Sequence, residues 1–330
     1  MTFNVGLLQR AIELAESGLG LTYPNPIVGA IIVNSDEEVI GEGFHAGSEH
    51  AEVLAINDAK ARRHNLAGAT LYCSLEPCNH YGKTPPCSEA IIAAGITSVY
   101  FAISDPHEKA SGGEQTLLNA GLTVQGNLLS DEARYSNRAW LTKIELGRPR
   151  ITAKIAQSMD GRVAAADGQS KWITTTHSRS QAKDLRNSFD AICIGTGTAI
   201  ADNPTLRGSL RNPTRIVMGN RVLPKLNLDG EEGYVQIKSH DLSELITFLN
   251  QKEYNSILLE GGPTIISAAL SIGLVDEIHL YQAPTILGSG TPSVMIPTFT
   301  EFTQQLHYEI SALSIIDGDI FAIYIKKDAT

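Results

Sequence analysis

Four residues of this 330-residue chain could do chemistry together. His50 and Glu52 lie two apart in HAEVLAINDA, and Cys78 and Cys87 bound the stretch CNHYGKTPPC. One imidazole and two thiolates make a three-ligand set that suits a catalytic zinc, because the fourth tetrahedral position stays open for water. Cys87 opens a short helical pattern, whose positive end favours the thiolate. A glutamate that is not itself a ligand, as Glu52 would be, can then move protons for that water. Taken alone, a His-x-Glu triplet is an ordinary polar helix end. A Pro-Cys pair and a second cysteine at a helix start, each following a strand pattern, raise it above that.

The combination resembles the zinc deaminase signature, H-x-E followed by P-C-x-x-C. It departs in one respect, since Cys78 and Cys87 are nine positions apart. The intervening NHYGKTPP is rich in turn formers, so a loop can bring both sulfurs to one metal. The other two cysteines, Cys73 and Cys193, fall inside apolar strand patterns and read as core thiols. His80 reads as a loop histidine.

An α/β frame must position these residues. The amphipathic N-terminus predicts a helix with Leu8, Ile12, Ala15 and Leu19 on one stripe. IVGAIIV (27–33) and VIGEGF (39–44) predict a hairpin across NSDEE. HAEVLAINDAKARRH predicts a helix with Val53, Leu54, Ile56 and Ala59 inward. ATLYCSL (69–75) predicts a buried strand, and CSEAIIAAG (87–95) a short helix stopped by glycine. Gly147 and Pro149 in ELGRPR break the pattern, giving domains at 1–147 and 148–330. Strand–helix alternation then resumes at ITAKIAQS, FDAICIG, TRIVMG, NSILLEGG, DEIHLY and DIFAIYIKK.

The second half has no Rossmann fingerprint, because Gly195-Thr196-Gly197 lacks a third glycine at the required spacing. ILLEGGPTIISAAL does offer a glycine pair at a helix start, where free N–H groups can cradle a phosphate or merely make a tight turn.

Charge constrains the partners. Residues 1–147 carry 9 lysines and arginines against 17 acidic residues, a net of −8, and the chain carries −10. Such a domain is a poor match for a polyanion, which needs clustered cations. No apolar run approaches the roughly 20 residues that span a bilayer. These features predict a cytoplasmic enzyme acting on a small molecule, without nucleic-acid or membrane partners. A homo-oligomer is also expected.

PNPIVGAIIV, GEGFH, HAE, LEPCNHYGKTPPC and DPHEKASGGEQTLLNAG resemble the deaminase half of the bifunctional riboflavin-biosynthesis deaminase–reductase family. SMDGRVA, GQSKWITT, LRNSFDAICIG, TAIADNPTL, EGGPT and APTILGSG resemble its reductase half. The resemblance implies a cytidine-deaminase-like zinc domain followed by a dihydrofolate-reductase-like domain that uses NADPH. It implies zinc on His50, Cys78 and Cys87, proton transfer by Glu52, and substrate contacts from Asn25, His45 and Lys83. In the second half it implies cofactor contacts from Ala156, Trp172, Thr198, Asp202 and the turn and helix start from Gly262 to Ala268. Ser170, Arg186, Leu206, Arg207 and Glu260 would then line the sugar phosphate. After Pro204-Thr205-Leu206 the family pattern is Thr-x-Arg, whereas this chain has Arg207-Gly208-Ser209, so either Arg207 or Arg211 would meet the phosphate. The implied chemistry is hydrolytic deamination of a diaminopyrimidinone ribosyl phosphate, then reduction of its ribosyl group to ribityl. Three other readings stay open: a nucleic-acid deaminase, a structural zinc protein, and an active deaminase with a diverged reductase half.

Overall fold

A computed structural model describes residues 3–47, 49–82, 85–107, 111–230 and 233–327. The chain divides into two compact units, Met1–Gly147 and Arg148–Thr330. No helix among the described residues is long and apolar enough to cross a membrane.

The first unit is built on five strands: β1 (Gly29–Val33), β2 (Val39–Phe44), β3 (Thr70–Cys73), β4 (Ser98–Phe101) and β5 (Thr123–Gln125). They lie in the order β2-β1-β3-β4-β5. β1 is antiparallel to β2 and β3, and β3, β4 and β5 run parallel. Among the described residues the α-helices that accompany them are α1 (Val5–Ala15), α2 (Ala51–Ala61), α3 (Cys87–Ala93), α4 (Gly113–Asn119), α5 (Ser130–Ser136) and α6 (Arg138–Leu146).

Close approach of α2 to the sheet sets the position of His50 and Glu52. A Cβ at Gly41 would lie 2.3 Å from the Ala55 carbonyl oxygen, and one at Gly43 2.6 Å from that of Ala51. Only glycine leaves room there. The same closeness selects the buried face of α2, which is Ala51, Glu52, Ala55, Ile56 and Ala59. Val53 and Leu54, expected inward, are only half-buried, because a glycine-lined strand admits alanines more closely than branched side chains. On α1 the buried stripe is Leu8, Ala11, Ile12 and Ala15, and Leu19 lies beyond the helix end.

The second unit contains β6 (Arg150–Ser158), β7 (Arg162–Ala164), β8 (Ala191–Gly195), β9 (Thr214–Met218), β10 (Val235–Ile237), β11 (Ser256–Glu260), β12 (Glu277–Ala283), β13 (Thr291–Pro292), β14 (Tyr308–Ile316) and β15 (Asp319–Lys326). Eight of them form one sheet in the order β10-β9-β8-β11-β6-β12-β15-β14, and β7 pairs with β13 separately. The run from β10 to β12 is parallel, and β15 and β14 close the sheet antiparallel. Its helices are α7 (Thr176–Leu185), α8 (Thr196–Asp202), α9 (Leu242–Gln251) and α10 (Pro263–Ser271).

Parallel neighbours share an edge for their carboxyl ends, the edge where open α/β sheets bind ligands. β10 and β14 are absent from the sequence reading. β10 has three half-buried residues, and β14 is exposed along most of its length, so neither presents a buried apolar run.

Candidate active sites

In the first unit, His50 occupies the position just before α2 but does not cap it, so its ring turns to the two cysteines instead. Pro86 precedes α3, so Cys87 is its first residue. His50 Nδ1 lies 3.1 Å from Cys87 Sγ and 3.4 Å from Cys78 Sγ. The three ligand atoms all fall within 4.8 Å of one another. With Zn–N near 2.0 Å and Zn–S near 2.3 Å, tetrahedral nitrogen and sulfur ligands stand about 3.5 Å apart. The triangle therefore fits a zinc ion, with imidazole and thiols as its donors.

Glu52 is the second residue of α2, in its first turn, and is 3% exposed. Burial, and then the charge of Cys78, raise its carboxyl to about 7. Its own backbone N–H, His50 and Cys87 pull the other way. The Cys78 thiol is lowered to about 4, first by a hydrogen bond from the Cys87 thiol and then by His50 and the Cys87 backbone N–H. Cys87, donating to Cys78 and buried, is pushed up. His50 is raised chiefly by its hydrogen bond with Cys78, against burial. The group thus holds negative charge on sulfur while keeping a carboxyl that titrates near neutrality beside it.

Asn25 and His45 come to this point from separate segments. Asn25 Nδ2 is 3.5 Å from His45 Nε2, and His45 Nδ1 is 2.7 Å from the Glu49 carbonyl oxygen. The His45 ring meets that of His50 edge-on, 5.7 Å between centroids. Burial lowers the pKa of His45, against its bond to Glu49, and His50 lowers it further. Lys83 lies outside the described residues. Cys73 and Cys193 are buried core thiols whose pKa values burial raises. His80 is outside the metal-ligand triangle.

One residue of this site escapes the sequence reading. Glu76, next to Pro77-Cys78, is buried, and its carboxylate accepts backbone N–H groups of Asp105, Gly112 and Glu114. The start of α4 packs so tightly there that a Cβ at Gly113 would fall 1.8 Å from the Pro77 carbonyl oxygen. Ser88 seals the other side, its hydroxyl donating to Asn79 Oδ1 and its N–H to the Cys78 carbonyl. Only the distance in sequence hides this clamp; an acidic residue in an otherwise apolar strand end is the available signal.

The second unit holds a cavity of about 850 Å³ along the carboxyl edge of its parallel strands. Ala156, Trp172, Thr198, Asp202 and Gly262 all line it. So do Ser170, Arg186, Leu206 and Glu260. Within it Arg186 grips Glu260, Nη2 to Oε2 at 2.6 Å and Nε to Oε2 at 3.1 Å. The Gly262 N–H donates to Thr198 Oγ1 at 2.9 Å, tying the α10 start to α8. Ser170 Oγ approaches Asp202 Oδ1 at 3.4 Å. Trp172 stands 74% exposed over the cavity at φ +70°, with the Arg179 guanidinium 4.2 Å from its ring centroid.

Arg207 does not line the cavity. Leu206 at φ +51° is buried in the core, which turns the next side chain away. Arg207 Nη2 instead faces Gly230, and only its carbonyl reaches the site, accepting from Arg186 Nη1 at 3.0 Å. Arg211 also lies elsewhere, bound to the carbonyls of Asn187 and Phe189. The lining does include Lys154, which the sequence reading passed over. Lys154 is the register partner of Glu260 across β6 and β11, with Nζ 5.9 Å from the Tyr281 ring centroid.

Residues 149–315 match the RibD C-terminal domain family, and residues 1–103 match the family of the cytidine and deoxycytidylate deaminase zinc-binding region. The riboflavin biosynthesis protein RibD of Mycobacterium tuberculosis (strain ATCC 25618 / H37Rv) is 38% identical over 329 residues, covering 96% of each chain. RibD of Escherichia coli (strain K12) is 38% identical over 326 residues, covering 86% of this chain and 88% of that protein. Among solved structures, the diaminohydroxyphosphoribosylaminopyrimidine deaminase/5-amino-6-(5-phosphoribosylamino)uracil reductase of Thermotoga maritima superposes with a TM-score of 0.90 at 29% identity over 98% of each chain. Acinetobacter baumannii RibD, form 1, superposes with a TM-score of 0.86 at 35% identity, again over 98% of each.

Proposed function

The chain belongs to the bifunctional deaminase–reductase family of riboflavin biosynthesis, and from that premise we propose that residues 1–147 carry the deamination and residues 148–330 the reduction. The enzyme deaminates 2,5-diamino-6-ribosylamino-4(3H)-pyrimidinone 5′-phosphate and reduces the ribosyl group of the product to ribityl. Zinc serves the first step and NADPH the second.

In our reading His50, Cys78 and Cys87 hold the zinc. Bound there, the ion supplies a Lewis acid that makes water acidic near neutral pH. With the ion in place, Glu52 would accept a proton from the attacking water and hand one to the departing ammonia. The burial of Glu52 supports this role, because it raises the carboxyl out of its ordinary range toward the operating pH, where proton transfer in both directions is easiest. Asn25 and His45, side by side next to His50, orient the pyrimidine edge by hydrogen bonds. Lys83 is kept as a further contact to the substrate.

In the reductase cavity Ala156, Trp172, Thr198, Asp202 and Gly262 are assigned to NADPH, which supplies the reducing equivalents. Ser170, Arg186, Leu206 and Glu260 are assigned to the sugar phosphate. The orientation of Arg207 moves the phosphate-binding role toward Arg186 and Lys154, which line the cavity.

The net charge of −8 on residues 1–147 supports a small-molecule substrate over a nucleic acid. Four free cysteines support a reducing, cytoplasmic setting. Exposed Leu313 and Ile315 on β14, at the sheet edge, support a homo-oligomer.

The His50–Cys78–Cys87 triangle beside a buried carboxyl is the observation that carries the reading. Mass spectrometry of the substrate incubated with the protein tests it. Without NADPH the amino group is exchanged for oxygen, and with NADPH the product gains two hydrogens. A substrate of unchanged mass in the presence of zinc-loaded protein sinks the assignment.

A further inference from the structure

We propose that Arg221 reads the 2′-phosphate that distinguishes NADPH from NADH. The inference rests on the reductase reading above and assigns one end of that cavity.

The cavity follows the carboxyl edge of the strands in the order β6, β11, β8, β9, β10. Arg186, Glu260 and Lys154 mark its β6–β11 end. A sugar held there requires the nicotinamide beside it. The start of α10 comes next: the Gly262 N–H is tied to Thr198 and Pro263 has none, so the first-turn N–H groups of Thr264 and Ile265 are the ones that suit the pyrophosphate. The adenosine half must then lie over the ends of β8, β9 and β10. Strands stand about 4.8 Å apart, so β10 lies about 14 Å from β11, a distance an extended dinucleotide spans.

Arg221 is the cation that lines the cavity at this end, just beyond β9. The other lining cations are committed or remote. Arg186 is paired with Glu260. Arg179 stacks on Trp172 and donates to the Thr174 carbonyl and the Thr176 hydroxyl. Lys154 is level with Glu260, and Lys171 neighbours Trp172. Arg221 forms no ion pair among the described residues, and its Nη1 lies 3.9 Å from the place a Cβ on Gly197 would take. The floor beneath it is bare. Gly197 has no side chain, and Gly219 sits at φ +131°, where a Cβ would meet Thr196 Oγ1 at 2.7 Å. His240 closes the rim, its ring 3.5 Å from that same Cβ position. A guanidinium over a bare turn, free to make two parallel hydrogen bonds, matches a phosphate monoester. A plain ribose hydroxyl gives it nothing to neutralise.

Titration calorimetry on the full-length chain tests this with NADPH, NADH, 2′,5′-ADP and 5′-ADP. Arg221→Ala is expected to weaken NADPH and 2′,5′-ADP roughly 10- to 100-fold, the loss of charge-assisted hydrogen bonds. NADH and 5′-ADP should bind as to the wild type, and Arg221→Lys should fall between. Arg221 is exposed, so an unchanged unfolding midpoint is expected to accompany the variant. An equal loss for NADPH and NADH, or an intact preference for NADPH, overturns the proposal. So does a wild-type protein that binds both dinucleotides equally, which leaves the reductase reading standing. A wild type that binds neither dinucleotide overturns the reductase reading as well.

Discussion

His50 Nδ1 and Cys87 Sγ lie 3.1 Å apart although 37 residues separate them. Each stands at a helix start, His50 just before α2 and Cys87 at the first position of α3. Two helix ends must therefore dock on one sheet before the ligand set exists. Cys87→Ser replaces the thiol of a proposed zinc ligand with a hydroxyl that stays protonated near neutrality. Zinc content, by elemental analysis, should fall well below one per chain, and deamination should be lost. NADPH-dependent reduction of the deaminated substrate should persist, because every residue lining that cavity belongs to the second unit. Loss of both activities in a folded variant contradicts this division.

Glu52→Gln keeps the shape of the side chain and removes its proton chemistry. We expect zinc to remain bound and kcat for deamination to fall about 10²- to 10⁴-fold. Near-wild-type turnover would remove Glu52 from the mechanism.

The same variant carries a pH signature in zinc-free protein. Burial lifts the Glu52 carboxyl from 4.5 to about 7, so folding favours its protonated form. That stabilisation is complete below about 4.5 and is lost as pH rises through about 7. Its size is about 3 kcal/mol. Denaturant midpoints of the chelated wild type should therefore decline between pH 5 and pH 8, and those of Glu52→Gln should decline less. Parallel curves would mean that the carboxyl is ionised at little cost.

Arg186 and Glu260 form a largely buried ion pair inside the reductase cavity. Arg186→Met leaves the Glu260 charge without its partner. Breaking such a pair costs about 3–5 kcal/mol. Calorimetric unfolding should show the second unit destabilised by that order, with reduction lost and deamination kept. A variant as stable as the wild type would show that solvent compensates Glu260.

Gly113 packs on the Pro77 carbonyl, one residue before a proposed zinc ligand. Gly113→Ala forces these backbones apart and disturbs the three N–H bonds that Glu76 accepts nearby. Zinc affinity should drop, with a destabilisation of about 1–3 kcal/mol, the usual range for overpacking. Competition with a colorimetric chelator measures the affinity, and an unchanged value excludes the clamp as a support of Cys78.

Much of the α/β frame was legible because its signals are local. The hairpin of β1 and β2, the helix beginning at Cys87 and the strands ending at Gly195 and Glu260 each follow from a few consecutive residues. β14 was not legible, since an exposed edge strand has no buried face to impose a pattern. Lys154 was passed over because one lysine in a strand says nothing until Glu260 is known to lie beside it. Arg207 was expected in the sugar site because spacing cannot reveal that Leu206 turns the backbone through a positive φ.

The donor types of the candidate metal site, the carboxylate beside it, the break at Gly147 and the lack of a Rossmann loop can all be read from the chain alone. Each is a matter of residue identity and short spacing, which survive without a fold. Which side chains share a point in space follows from the packing alone. It brought His45 against His50, set Glu76 under the Cys78 loop, turned Arg207 away from the cavity and left Arg221 over bare glycine turns. Those relations depend on how closely helices and strands approach, and the approach is governed by steric room at positions such as Gly41, Gly43 and Gly113, far in sequence from the groups they bring together.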